Sequence, residues 1–434
     1  MNCFHTFALI DKFRNRGFKL IALDYFVIKK YKFNMISLFK QSNIYPFLWM
    51  LFAFVLPFSK AYPNIVLILI LISFIVFKKY KDIKFNLKDG FMFFIVAVFW
   101  ITISILLQDG FSESLKPLRN LYSLIAIYFL AQTIATKKYY VLLSFIAGTV
   151  ILFLLSIIGI VTFYLNHGFV KLDIGSTVNE MLHGERPYIG FMIALSVYFS
   201  LHIIRKAKKR WLYIWVLVAT SFIFIISARL ATVLSILIVI HHLYILFKTK
   251  KIYFLMGFFA ITIFIIAAFT FNKNFKNRMR IENDVHSTYA KFKAYEPRFV
   301  IWECATELSQ QIYPLLGFGN YKTMKSELVN CYISKIPSHQ TSKIGFYKEK
   351  AFNTHNQFFS FLLLGGWFAF FSLSLFFAVS FARSSTFLFS FTLLCFLSFF
   401  IFENVLYRQL GVYLMGLFLG LLNTKQNEFV IKSE

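Results

Sequence analysis

The chain has 434 residues, of which 59% are hydrophobic and 20% aromatic, and it contains 59 Phe but only 8 Pro. Soluble domains are about 45–50% apolar, so a water-soluble core could not hide this much apolar surface. The formal net charge of +27 would suit nucleic acid, but much of the Lys and Arg lies in short loops between apolar runs, where membrane topology places it. We therefore expect a polytopic α-helical membrane protein that contacts membrane lipids and does not bind nucleic acid.

The first 34 residues mix basic and apolar side chains, without the long apolar run and the small-residue cleavage site of a signal peptide. Two interpretations stay open: an interfacial amphipathic segment, or a translation start at Met35. We assign residues 1–43 to a basic, interfacial N-terminal segment in the cytoplasm. Residues 44–423 are assigned to the membrane domain and residues 424–434 to a cytoplasmic tail.

Apolar runs of roughly membrane-spanning length follow one another along the chain, and they predict an all-α protein with about twelve transmembrane helices. These runs are residues 44–59, 63–77, 91–107, 117–135, 140–165, 187–204, 211–226, 228–247, 252–271, 355–381, 386–402 and 405–423. Every second connection is rich in Lys and Arg, as in RKAKKR after the sixth run. Because cytoplasmic loops carry this bias, the alternation predicts that both termini are cytoplasmic.

One connection on the opposite side, residues 272–354, is too long for a simple turn. Part of it has helical spacing, and Pro314 with two following glycines is predicted to end that helix. The apolar face of this helix is predicted to carry Phe299, Trp302, Leu308 and Ile312. We therefore expect one long, partly helical external loop.

The four cysteines show no C-x-x-C spacing, so the sequence predicts no metal or redox motif. Cys304 and Cys331 fall in the loop 272–354, where they either form a disulfide or remain free thiols. Phosphate-loop, H-E-x-x-H and Asp-x-Asp motifs do not occur in the sequence. We therefore expect no cofactor and no metal ligands.

Six polar residues stand out because the predicted topology gathers them at the face away from the cytoplasm. They are Arg186, Arg229, Arg298, His355, Glu403 and Arg408. Arg229 lies between two apolar runs, where a charge costs about 2.5–3.5 kcal/mol on insertion scales and usually faces a cavity or a partner. The alternative is an arginine that extends to lipid phosphate. Several guanidiniums at one depth suit a pyrophosphate, because their planar forks bind phosphate oxygens bidentately.

The segment THNQFFSFLLLGG, residues 354–366, opens an apolar run with polar side chains. His355 would serve as a general base near neutral pH, or it is a helix-terminal residue bonded to a nearby carbonyl. Thr354 is the predicted N-cap, whereas Asn356 and Gln357 suit either a cap turn or contacts with sugar. The two glycines at its end are predicted to allow close helix packing.

Two further predictions concern residues outside that segment. Glu403 and Arg408 suit an ion pair that locks the last hairpin, or a supporting role in the site. His241 and His242 lie near the cytoplasmic end of their predicted helix, so they are interpreted as interfacial residues.

The order of these motifs resembles that of the bacterial O-antigen ligase and polymerase superfamily. SAR opens a membrane helix, PRFVIW has an Arg-x-x-x-Trp spacing, PLLGFG makes a turn, and HNQFF opens the next helix. The motif-bearing resemblance covers about residues 186–420, whereas residues 1–180 are similar in hydropathy alone.

The resemblance implies a metal-independent, inverting glycosyltransferase in the bacterial inner membrane with a periplasmic active site. It would move an O-antigen-type glycan from undecaprenyl pyrophosphate to a sugar hydroxyl of the lipid A-core. By motif, Arg229 and Arg298 would bind the pyrophosphate, Arg186 would support them, and His355 would activate the acceptor hydroxyl. The loop 272–354 would be periplasmic and cover the site.

Two alternatives remain at this stage. An O-antigen polymerase would use another lipid-linked repeat as acceptor, although the His-Asn opening and the Arg-x-x-x-Trp helix favour a ligase. A lipid-linked glycan transporter would place polar groups near the membrane midplane, whereas the charges here cluster at one predicted face.

Overall fold

The computed structural model describes residues 43–83, 85–170, 175–271, 284, 296–384 and 386–423. The chain divides into two compact units, Met1–Leu48 and Trp49–Glu434, and the second contains the candidate site. The predictions for residues 1–42, for the tail 424–434 and for nearly all of 272–295 lie outside the described residues.

The described residues form sixteen α-helices and no strand, which confirms the all-helical prediction. The helices are α1 (Ile44–Val55), α2 (Tyr62–Val76), α3 (Phe91–Leu107), α4 (Phe111–Gln132), α5 (Lys138–His167), α6 (Gly175–Met181), α7 (Arg186–Ala207), α8 (Leu212–Ile225), α9 (Arg229–Phe247), α10 (Lys251–Phe271), α11 (Pro297–Ser309), α12 (Tyr321–Ser334), α13 (Thr341–Lys350), α14 (Gln357–Ala382), α15 (Phe387–Phe402) and α16 (Gln409–Leu422). Each of the twelve predicted apolar runs overlaps one α-helix, and the last run, 405–423, also contains a short 3-10 helix at Val405–Tyr407.

Four of the described helices, α5, α7, α9 and α14, are long and apolar enough to cross a membrane. Six shorter apolar helices of 10–17 residues accompany them, and the total of twelve spans stays a prediction. The surface of α2 shows why lipid is the expected solvent: Ile65, Ile68, Ile72 and Ile75 lie on one helix face and are 54–67% exposed. Soluble monomers rarely leave such apolar stripes uncovered.

Helix α7 is the most buried of the four long apolar helices, with 94% of its apolar segment inside the protein. It packs against α5, α8 and α9. A Cβ at Gly190 would lie 2.7 Å from the Cβ of Ala228 and 2.8 Å from that of Ala231. In lipid, helices associate through such close packing of small residues. This contact brings together the first residues of α7 and α9, which are Arg186 and Arg229.

The described part of the long segment 272–354 contains α11, α12 and α13. Pro297 occupies the first position of α11, where its fixed φ angle favours helix initiation and its missing N–H is not required. A disulfide between Cys304 and Cys331 joins α11 to α12. The sequence left open whether these cysteines form a disulfide or remain free thiols, and in the structure they form the disulfide.

Helix α14 is interrupted at Gly366, whose φ of +71° and ψ of −172° are not helical. The turn after α11 fills the break: the N–H groups of Phe318 and Gly319 donate to the carbonyls of Leu363 and Leu364 at 2.7 and 3.1 Å. A Cβ on Gly366 would lie 2.5 Å from the carbonyl oxygen of Pro314. Gly366 thus provides a kink that accepts the turn after α11, a role beyond the helix packing predicted for it.

Candidate active site

Arg229 is the first residue of α9 and follows a very tight connection from α8. Ser227 has φ +53°, a left-handed conformation that reverses the chain within a few residues. The Arg229 side chain is 27% exposed, and its Nη2 donates to Oε2 of Glu296 at 2.5 Å. The sequence left two roles open for Arg229, namely facing a cavity or partner and contacting lipid phosphate. In the structure its guanidinium binds a carboxylate.

Glu296 and Arg298 stand on either side of Pro297 at the start of α11. Arg298 Nη1 donates to Oε1 of Glu296 at 2.7 Å, so this carboxylate bridges the two guanidiniums. The other terminal nitrogen of Arg298, Nη2, donates to Oε1 of Glu403 at 2.6 Å. Charge-assisted bonds of this kind are about twice as strong as neutral ones.

Glu403 directly follows α15 in an extended conformation with φ −147°. Its second oxygen, Oε2, lies 3.1 Å from Nδ1 of His355. Arg229, Glu296, Arg298, Glu403 and His355 therefore form one continuous ion-pair network. It joins the start of α9, the start of α11, the end of α15 and the segment before α14.

Both carboxylates of the network are ionised at neutral pH. Burial would raise the pKa of Glu296, but Arg229 and Arg298 hold it below its usual value of 4.5. Burial would likewise raise the pKa of Glu403, and the hydrogen bond from His355 together with the charge of Arg298 lowers it. The two side chains are only 13% exposed, so solvent screens these interactions less than at an open surface.

His355 has a left-handed backbone conformation, with φ +43°. Such a conformation is uncommon for a residue with a side chain and requires support from its surroundings. The His355 N–H donates to Oδ1 of Asn353 at 3.1 Å. The preceding Thr354 is fully buried, and its hydroxyl lies 2.6 Å from that of Ser360 and 3.1 Å from Oδ1 of Asn404. These contacts fix the backbone that presents the imidazole to Glu403.

The other polar residues of this segment have structural partners. Asn356 is the N-cap of α14: its Oδ1 accepts hydrogen bonds from the N–H groups of Phe358 and Phe359 at 2.9 and 3.1 Å. The prediction that Thr354 caps the helix is therefore wrong, since the helix begins at Gln357. Oε1 of the buried Gln357 accepts from the N–H of Leu406 at 2.9 Å. Of this polar run, His355 is the residue that joins the ion-pair network.

A cavity of about 430 Å³ lies beside the network. Three arginines and two carboxylates contribute to its wall, namely Arg186, Arg229, Arg298, Glu296 and Glu403. The rest of the wall is apolar and includes Phe299, Trp302, Phe399, Phe402, Leu230 and Val233. Such a cavity fits an amphiphile with an anionic head group. His355 is not among the residues that line it, but its imidazole contacts the lining residue Glu403.

Helix termini add positive potential to the charged end of the cavity. Helices α7, α9 and α11 all begin there, with Arg186, Arg229 and Pro297 as their first residues. The N-terminus of a helix carries the positive end of its dipole and favours anions. Arg186 is itself 4% exposed and lines the cavity. The backbone and the guanidiniums thus favour the same kind of ligand.

The structure brings together most, but not all, of the predicted site residues. Arg229, Arg298, Glu403 and His355 share one network, and Arg186 lines the adjoining cavity. Arg408 is separate from this cluster: its side chain is 56% exposed and pairs with Glu185 at 2.8 Å. The predicted ion pair between Glu403 and Arg408 is therefore wrong, because Glu403 binds Arg298 and His355 instead.

Glu296 was missed by the sequence analysis. An acidic residue two positions before Arg298, separated from it by a helix-initiating proline, is the signal that could have drawn attention to it. From the sequence alone, a carboxylate so close to Arg298 suggests that it neutralises the charge of the arginine, not that it takes part in a functional site. Its bridging role depends on Arg229, 67 residues earlier in the chain, which no local pattern reveals.

The fold and the site define a helical membrane protein whose charged groups meet at one end of its helices beside an apolar cavity. Residues 215–374 match the family model described as O-antigen ligase. This match confirms the resemblance to the O-antigen ligase and polymerase superfamily, and it supports a membrane glycosyltransferase at the level of the family. The matched segment includes Arg229, Arg298 and His355. No curated protein and no solved structure matches the chain.

Proposed function

We propose that the protein transfers an O-antigen-type glycan from undecaprenyl pyrophosphate to a sugar hydroxyl of the lipid A-core, at the periplasmic face of the bacterial inner membrane. The observation that carries this proposal is the ion-pair network at the charged end of an apolar cavity. Arginines suited to a pyrophosphate and an imidazole suited to a hydroxyl belong to one set of contacts.

In this proposal the cavity binds the lipid-linked donor. Its aromatic and aliphatic wall would take the first part of the isoprenoid chain, while Arg186, Arg229 and Arg298 would hold the pyrophosphate. Negative charge grows on this leaving group as the glycosidic bond breaks. Fixed cations stabilise that charge without reorganisation, and a single hydrogen-bond donor in such a position contributes about 10²–10³-fold in rate.

In this proposal the His355–Glu403 pair activates the acceptor hydroxyl. Since Glu403 is ionised, Nδ1 of His355 carries the proton and donates it to Oε2 of Glu403, which leaves Nε2 to accept the proton of a sugar hydroxyl. Glu403 would then stabilise the imidazolium that forms. A carboxylate in this relation to a histidine selects the tautomer and orients the ring.

The reaction is a single displacement. The acceptor oxygen forms a bond to the anomeric carbon, the bond to the pyrophosphate oxygen breaks, and its electron pair leaves with undecaprenyl pyrophosphate. Attack from the face opposite the leaving group inverts the anomeric configuration. His355 contacts Glu403 but is not among the residues that line the cavity. This placement supports the arrangement, because donor and acceptor would approach from different sides.

A deletion strain tests the proposal, with lipopolysaccharide separated on a gel. Core without any O-chain is the expected result, and a plasmid encoding the wild-type chain should restore the ladder. Core that carries one repeat would instead identify a polymerase, which uses the same donor chemistry on a lipid-linked acceptor. An unchanged ladder in the deletion strain would contradict both.

A further inference from the structure

Glu296 lies between the two arginines that the proposed function assigns to the donor pyrophosphate. Its Oε2 is 2.5 Å from Nη2 of Arg229, and its Oε1 is 2.7 Å from Nη1 of Arg298. A phosphate bridges two guanidiniums in the same way, since it also presents separate oxygens to planar forks of N–H groups. The carboxylate and a pyrophosphate would therefore compete for the same donors.

The Glu296 carboxylate has no role in starting its own helix. Glu296 is the N-cap of α11, with an extended backbone, but its side chain makes no capping hydrogen bond. N-cap side chains commonly accept bonds from the first-turn N–H groups, so a glutamate here forgoes that local contact. The orientation of this carboxylate is set by the arginines, and it faces the cavity.

The charges around the cavity distinguish Glu296 from Glu403. Three guanidiniums and two carboxylates line the cavity, so its charged side chains carry one net positive charge. Glu403 is held by His355 through its second oxygen and stays in place when a donor arrives. Glu296 has both oxygens on the arginine pair, so its departure exposes Nη2 of Arg229 and Nη1 of Arg298 to the donor. Glu403 keeps Nη2 of Arg298, and the net charge rises to two. That charge matches a doubly ionised pyrophosphate diester.

We infer that Glu296 is a resident anion that competes with the donor. It moves aside when the pyrophosphate binds Arg229 and Arg298, and it returns to them when undecaprenyl pyrophosphate leaves. The inference rests on the proposed function, because it takes the arginine pair as the donor site. In the empty site Glu296 is a shared counter-ion for two partly buried cations. It also weakens the binding of donor and product alike, which speeds product release.

Equilibrium binding of undecaprenyl pyrophosphate to the purified full-length protein in detergent tests the inference. Glu296→Gln keeps the size of the side chain and removes its charge, so its Kd should be about five- to tenfold lower than that of the wild type. Glu296→Asp should give an intermediate value, because a shorter carboxylate cannot reach both arginines. Glu303→Gln is the matched control: it lies on α11, pairs with Lys335 at 3.2 Å, and should bind as the wild type does.

Arg229→Gln separates the inference from the proposed function. This variant should raise the Kd if the arginine pair binds the pyrophosphate. Wild-type affinity in Arg229→Gln would refute the donor site, and the role of Glu296 with it. Weaker binding by Arg229→Gln, with unchanged or weaker binding by Glu296→Gln, would refute only the inference and make Glu296 a group that positions the arginines. If Glu296→Gln does not fold, Glu296→Asp decides between the same outcomes.

Discussion

The two ends of helix α9 both carry titratable side chains, but they are built differently. At the N-terminal end, Arg229 belongs to a network in which carboxylates alternate with Arg298 and His355. Near the other end, His241 stacks on Phe387 at 4.1 Å with an angle of 8° between the rings. Its neighbour His242 lies 3.2 Å from the hydroxyl of Tyr213.

This difference shows that a histidine near a helix end does not define a site. An imidazole stacked on a phenyl ring packs as a flat, largely apolar group. An imidazole bonded to an ionised carboxylate has its tautomer and its ring orientation fixed by that partner. The partner, more than the residue type, separates the candidate base His355 from the packed His241.

The largest expected effect on glycan transfer comes from removing the imidazole of His355. His355→Ala should lower glycan transfer by about 10²–10⁴-fold, because a positioned general base contributes about that much. His241→Ala should stay within about twofold of the wild type, since ring stacking is its described contact. Transfer is measured on lipopolysaccharide gels, and the membrane level of each variant by immunoblot. Near-normal transfer by His355→Ala would remove it as the base.

The second effect concerns the carboxylate that orients the imidazole. Glu403→Gln should lower transfer by about 10–100-fold, mostly in kcat, because an amide neither fixes the tautomer nor stabilises the imidazolium. Glu185→Gln is the control, since Glu185 pairs with Arg408 outside the network. If the two variants lose activity equally, the His355–Glu403 pair has no special role in the transfer.

A smaller effect on glycan transfer is expected when an arginine of the proposed donor site is replaced by lysine, which has the same charge but a different shape. Arg229→Lys keeps the charge but loses the planar fork, so transfer should fall about tenfold, mainly through a higher KM for the lipid-linked donor. Arg408→Lys should change KM little, because the exposed Arg408 lies apart from the cavity lining. Full activity of Arg229→Lys would count against bidentate binding of the pyrophosphate.

The smallest effect is on stability at acid pH. Since the folded protein lowers the pKa of Glu296 and Glu403 below 4.5, their stabilisation is complete above that pH and is lost as the pH falls through the lowered values. Between pH 5 and pH 3, the Tm of the purified wild type should fall by about 1–3 °C more than that of Glu403→Gln. Equal pH dependence would mean that Glu403 does not contribute.

The sequence by itself determined the class of the protein and the position of its helices. Hydropathy is a local property, and a chain in lipid must satisfy its backbone hydrogen bonds within each span. Each apolar run therefore coincides with a helix, and the topology already gathered Arg229, Arg298 and His355 at helix ends. The motifs around these three residues were enough to predict the superfamily.

Only the tertiary structure decided how those groups are connected. Glu296 reaches Arg229 across 67 residues, Arg298 reaches Glu403 across 105, and His355 reaches Glu403 across 48. The pairing of Cys304 with Cys331 and the break in α14 at Gly366 likewise depend on segments that meet only in the folded chain. Ion pairs are selected by distance in space, which local composition does not encode. The sequence could therefore name the arginines, the histidine and Glu403, but not Glu296 or the partners that each carboxylate binds.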